Sequence, residues 1–318
     1  MHMKKLGTSV GMIVAALLVA APAFSQTAKA TGGGEAVVTI LPKQHSELPV
    51  DVRQQDVSIR VDGKPTDVGS WLPLRGVDGG LELVLLIDGG ARNLEGSEFG
   101  EIRHFILGLK PDVKVAIAYT ENGAARFATP LTTDHALAAS GLHMTTGPTA
   151  STYFGISDLA KNWPSHQRRT RREVIMISDG IEPYSPRYDP ENNYVQAAIH
   201  DAVRSGLVIF AIAWNHRGGF SNDTTNNSPI QDGGQNYLVQ LTTDTGGYAY
   251  GMGESNPISF QSYFDEITRR LDNQYLLGFS SSVSGKPAVQ SLKLKFKGFA
   301  SQVVAPQLVL VSAARTAQ

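Results

Sequence analysis

Three stretches of the chain are nearly unbroken apolar runs: Leu81–Ile87 (LELVLLI), Glu173–Ser178 (EVIMIS) and Leu207–Trp214 (LVIFAIAW). Runs of this length between polar flanks predict strands buried on both faces of a sheet. Between them the period changes. Within Glu98–Leu109 the apolar positions Phe99, Ile102, Phe105, Ile106 and Leu109 recur at helical spacing. Thr133–Leu142, Thr152–Trp163, Pro190–Ser205 and Ile258–Asn273 also predict helices, and Tyr237–Thr243 a short one. Gly206 stands where a helix C-cap belongs. Val113–Tyr119 and Ala125–Leu131 predict two strands joined through an Asn122-Gly123 turn, and Gly247–Gly251 an edge strand. This alternation predicts an α/β fold with a doubly wound, mostly parallel sheet, Leu81–Ile87 and Glu173–Ser178 being central neighbours. Asn215–Gly234 is polar and rich in glycine and asparagine, which predicts a surface excursion.

The two ends of the chain read differently. Thr31–Glu35 is glycine-rich and predicts a flexible linker. Val57–Val61 (VSIRV) before Asp62-Gly63 predicts a hairpin. At the other end Gln274–Ser280, Ser291–Lys297 and Val303–Val311 predict strands. Because chain termini tend to lie close together, the two β-rich ends are expected to pack into one small accessory β unit. The expected division is a signal peptide over 1–25, linker and N-terminal β segment over 26–80, the α/β domain over 81–273, and a C-terminal β segment over 274–318.

The signal peptide is read from Lys4 and Lys5, the apolar run Val10–Val19 and the small residues around Ala23 and Ser25. It predicts a secreted or periplasmic protein. No other run is long enough to cross a bilayer, so no membrane span is expected after cleavage. The chain has no cysteine, which excludes disulfides, thiol nucleophiles and Cys-ligated zinc. The net charge of −1 gives no signal for nucleic acid. The basic run His166–Arg172 (HQRRTRR) is expected to be a solvated connection ahead of a buried strand. No Walker loop, no dinucleotide-binding glycine motif after a strand and no His-Glu-x-x-His is present.

An apolar strand ending in Asp88, then Gly147-Pro148-Thr149 before a helix, then VIMIS followed by Asp179-Gly180, is a succession that resembles a von Willebrand factor A (vWA) domain. The chain is similar to the secreted bacterial VWFA-related family. In that family a segment like VSIRVDGKPTDV (57–68) precedes the domain and one like LDNQYLLGFSSS (271–282) follows it. The resemblance spans roughly Val57 to Phe299. It implies one antiparallel strand, Ala125–Leu131, at the sheet edge.

It also implies a metal-ion-dependent adhesion site at the carboxyl ends of the strands. There an Asp-x-Ser-x-Ser loop, a threonine and a second aspartate hold a divalent cation such as Mg²⁺ or Ca²⁺. Asp88, Thr149 and Asp179 match that set, but Gly90 and Arg92 stand in the two serine positions. A guanidinium cannot ligate a cation and repels one. Three readings remain open. Arg92 replaces the metal by pairing with Asp88 or Asp179; or the site is relict, its aspartates accepting from loop backbone; or water completes a weak cation site.

The same rim collects Glu182, Tyr184, Trp214 and Arg217 as candidate contacts to a partner protein. The expected function is non-catalytic recognition of another exported or surface protein. The alternatives are a metal-dependent phosphoryl hydrolase using Asp88 and a structural subunit of an envelope assembly.

Overall fold

The computed structural model describes residues 31–42, 51–76, 79–90, 94, 96–145, 150–167, 170–215, 228–282, 286–297 and 302–313. The expected signal peptide lies outside them.

The α/β part is a six-stranded sheet. Its strands are β5 (Leu81–Asp88), β6 (Lys114–Glu121), β7 (Ala124–Phe127), β8 (Arg171–Ser178), β9 (Leu207–Ala213) and β10 (Ala249–Tyr250), in the order β10-β9-β8-β5-β6-β7. All neighbours are parallel except β7, which runs antiparallel to β6 at the edge. This is the expected doubly wound sheet, with the antiparallel edge where the vWA resemblance puts it. The tight turn between β6 and β7 places Asn122 and Gly123 at positive φ (51° and 76°).

Alternation along β5 divides its apolar run between two cores. Leu81, Leu83, Leu85 and Ile87 face a layer formed by α1 (Gly96–Leu107), α2 (His135–Ala139) and α6 (Gln261–Leu271). Val84 and Leu86 face the other layer, formed by α3 (Thr152–Lys161), α4 (Asn193–Ser205) and α5 (Ser228–Thr245). Each fully buried aliphatic side chain contributes about 1.5–3 kcal/mol of hydrophobic stabilisation. Gly206 caps α4 in the left-handed conformation (φ 70°) as expected.

The two ends of the chain build a second sheet, antiparallel and strongly curled, with eight strands. They are β1 (Thr31–Leu41), β2 (Val57–Val61), β3 (Lys64–Thr66), β4 (Val68–Pro73), β11 (Gln274–Ser282), β12 (Ala288–Phe296), β13 (Gln302–Val304) and β14 (Leu308–Ala313). The order is β3-β2-β12-β14-β1-β11-β4, with β13 also on β1. Strands β3 and β4 end this order yet are separated in the chain by Asp67 alone, so the two edges must approach and the sheet forms a half-barrel. Its inside is apolar: Val38, Ile40, Ile59, Trp71, Tyr275, Leu277 and Val311 are buried there.

Three expectations need correction. Thr31–Glu35 is no linker but the start of β1, paired with β11 from Thr31 opposite Ser282. Its glycines serve close packing, since a Cβ on Gly34 would stand 2.6 Å from Cζ of Phe279. Second, the helix expected at Tyr237–Thr243 extends back to Ser228, so part of the presumed excursion is helical. Third, the basic run does not end in solvent. Arg171 begins β8, and its side chain is only 7 % exposed. Its guanidinium donates to the carbonyls of Leu74 (3.1 Å) and Leu271 (3.2 Å) and lies 3.2 Å from the Glu173 carboxylate.

Gln274 of β11 donates to the same Glu173 (3.2 Å). Arg171 and Glu173 thus join the half-barrel to the amino ends of the parallel strands. The carboxyl ends, at Asp88, Ser178 and Ala213, are left at the opposite pole.

Candidate partner-binding site

At that pole β5 delivers Asp88 to a buried position, where a carboxyl group needs hydrogen-bond partners. Oδ1 accepts from the backbone N–H of Gly90 (2.9 Å) and the hydroxyl of Thr120 (3.3 Å). Oδ2 accepts from the hydroxyl of Ser178 (2.6 Å), the last residue of β8. The two hydroxyl oxygens then accept from Gly89 N–H (3.1 Å) and Gly180 N–H (3.0 Å) respectively. Thr145 closes the turn by donating to the carbonyl of Gly89 (2.9 Å). One carboxylate therefore organises the ends of three strands.

The loop after β8 is held as firmly. Asp179 is buried, and its Oδ1 accepts from Ile181 N–H (2.9 Å). Gly180 sits at φ +70°, and a Cβ there would collide with the carbonyl oxygen of Gly234 on α5. Backbone meets backbone at this point, so α5 buttresses the loop. From the other side the Tyr153 hydroxyl donates to the carbonyl of Gly180 (2.6 Å). Burial pushes the Tyr153 phenol well above its ordinary pKa, and nearby Asp179 and Glu182 add to the effect. Tyr153 is thus a neutral donor.

Glu182 is fully buried, at 0 % exposure. It accepts from the Ser151 hydroxyl and from Tyr184 N–H (3.0 Å). Ser151 is the N-cap of α3 but spends its hydroxyl on Glu182 rather than on the helix backbone. The expected partner contact at Glu182 is corrected accordingly: the carboxylate ties the loop to α3 and faces no solvent. Trp214 is corrected too. It is 4 % exposed, packs edge-on against Phe260 (5.2 Å) and completes the core beyond β9.

Tyr184, by contrast, is 62 % exposed. Its ring stacks on Phe154 (5.7 Å) and lies 5.9 Å from Tyr194, itself 5.4 Å from Phe154. The three rings form one aromatic patch next to the Glu182 loop. Arg92, Thr149 and Arg217 lie outside the described residues.

The cation implied by the family resemblance is a poor fit to the described donors. Gly90 brings no side-chain oxygen, and the oxygens of Asp88 already receive three hydrogen bonds. The two hydroxyls nearest that carboxylate, Thr120 and Ser178, are turned toward it as donors. Among the described residues no three His, Asp or Glu side chains are grouped as a metal would require.

Thr120, Ser178, Ser151 and the Phe154–Tyr194 pair were not singled out from sequence. Hydroxyl residues closing apolar strands were the available signal for Thr120 and Ser178. Phe154 and Tyr194 carry no comparable signal, since their meeting depends on the packing of α3 against α4.

The sheet is a doubly wound α/β arrangement with one antiparallel edge strand, as the vWA resemblance implies. No family model and no curated protein matches the chain. Among solved structures it is similar to an aerotolerance-related membrane protein from Bacteroides fragilis. That likeness has 14 % identity over 61 % of this chain and 99 % of that one, with a TM-score of 0.40. It is also similar to the vWF domain of the type V pili tip protein Mfa5 from Porphyromonas gingivalis, with 13 % identity, 60 % and 94 % coverage, and a TM-score of 0.42. For the pilus adhesin SpaC from Lactobacillus rhamnosus GG the identity is 11 %, the coverage 81 % of this chain and 48 % of that one, and the TM-score 0.45.

Proposed function

We propose that this is an exported, non-catalytic recognition module that binds another exported or surface protein through the pole bearing Asp88, Asp179 and Tyr184. The observation that carries this reading is a rigid, hydrogen-bonded rim with an exposed aromatic patch beside it. The half-barrel caps the other pole and leaves this rim open. Tyrosines on a rigid support suit protein contacts, since they offer large area at low entropic cost. Arg92 would supply a two-point contact to a carboxylate of the partner.

The hydrolase reading has less support. A nucleophilic Asp88 needs an accessible oxygen, and this residue is buried with hydrogen bonds on both oxygens. The direct test is site-specific photocrosslinking in the exporting cell, with the probe at position 184 or, as control, at position 295 on the half-barrel. A discrete adduct from 184 alone, weakened by Arg92→Ala, is the expected result. Equal or absent labelling at both positions would refute the reading.

A further inference from the structure

The junction between the half-barrel and the α/β domain is not completely filled. A cleft of about 660 Å³ lies between the outer face of β1, β11 and β14 and the end of α4 with the first residues of β8 and β9. That volume is within the range of small-molecule sites, which favour such junctions. One wall comes from Val37 and Leu276, which are direct cross-strand partners, together with Leu308 and Leu310. Val203 and Leu207 stand on the opposite wall.

These barrel side chains explain a sequence oddity. Ala36–Val38, Leu276–Leu277 and Leu308–Val311 are apolar on both faces, although one face of a half-barrel usually meets water. Alternate residues fill the barrel, and the others line this cleft while staying partly exposed.

The polar lining is biased in charge. The lining residues include Arg171, Arg172 and Arg204 against one acidic residue, Glu35. Arg171 is committed to Glu173 and two carbonyls, and Arg172 donates to the Ser165 carbonyl (3.1 Å) while lying over the Trp163 ring. Arg204, in the last turn of α4, is exposed and forms no ion pair among the described residues.

We infer that this cleft binds a single-chain amphiphile, its alkyl chain along the Val37–Leu276 wall and its anionic head at Arg204. A carboxylate head would mean a free fatty acid and a phosphate head a lysophospholipid. The site is at the opposite pole from the proposed partner-binding rim and does not depend on it.

The test is calorimetric titration of the mature protein with dodecanoate, dodecyl phosphate, dodecanol and inorganic phosphate, the amphiphiles below their micelle-forming concentrations. Saturable 1:1 binding of an anionic amphiphile, at least tenfold tighter than dodecanol or phosphate alone, is expected. The tighter of the two anionic probes identifies the head group. Arg204→Glu should erase the preference over dodecanol. Leu276→Trp should weaken binding of the anionic amphiphile at least tenfold with the unfolding midpoint unchanged, and Val37→Phe serves if that variant does not fold. No saturable binding of either anionic amphiphile, equal binding of dodecanol or phosphate, or indifference to the wall substitution would overturn the inference.

Discussion

The hydroxyl of Ser178 donates a 2.6 Å hydrogen bond to Oδ2 of Asp88, tying the last residue of β8 to the last residue of β5. Both residues are buried. A buried carboxyl oxygen needs a hydrogen-bond donor. Here the neighbouring strand provides it. The Ser178→Ala variant leaves that oxygen one donor short and frees Gly180 N–H as well. A loss of about 1–3 kcal/mol is expected in denaturant unfolding. A loss no larger than that of an exposed Ser→Ala change would show that the bond contributes little.

The helix α5 supports the same loop through Gly234. In a helix, Gly→Ala ordinarily gains about 1 kcal/mol. At Gly234 the new methyl would collide with the carbonyl oxygen of Asp179, so the sign reverses. Gly234→Ala should destabilise by about 1–3 kcal/mol, while Gly100→Ala on α1, where a Cβ meets nothing, should stabilise or be neutral. Equal effects at both sites, measured by thermal unfolding, would contradict the packing described.

At the other pole burial raises the Glu173 carboxyl to about 7, against the opposing effects of Arg171 and Gln274. A raised carboxyl pKa means that the folded state keeps a proton the unfolded chain has lost between about pH 4.5 and 7. The contribution of Glu173 to stability therefore falls as pH rises through that window and is flat above it. Relative to Glu173→Gln, the wild type should lose up to about 1.4 kcal/mol per pH unit there. Parallel stability curves for the two proteins would rule this out.

Tyr184 separates binding from folding. Its ring is largely exposed and packs on Phe154 and Tyr194, so Tyr184→Ala should cost under about 1 kcal/mol of stability. Crosslinking or affinity for the partner should fall at least tenfold, and unchanged binding would move the contact surface elsewhere.

The main sheet was legible because Leu81–Ile87 and Glu173–Ser178 carry a signal that few other folds would produce. Their length and apolar continuity demand two covered faces. The start of β1 was illegible because glycines 32–34 mean freedom in isolation and close approach only opposite Phe279. The first turns of helix α5 were missed for a related reason: Gly234 is required by the Asp179 carbonyl and Gly233 packs closely on Tyr188, both outside the helix. At the site, Asp88 and Asp179 stood out as charges ending apolar strands. The roles of Glu182 and Trp214 depend on which way a loop turns, and residue type alone gave the opposite answer.

Protein groups complete the Asp88 site, and the recognition proposed for it needs no metal. Titration of Mg²⁺, Mn²⁺ and Ca²⁺ into the chelator-stripped protein, followed by calorimetry and thermal unfolding, decides this. No saturable binding and no stabilisation at millimolar cation are expected. A saturable, stabilising response abolished by Asp179→Ala would contradict it and make a metal-bridged contact the mechanism of recognition.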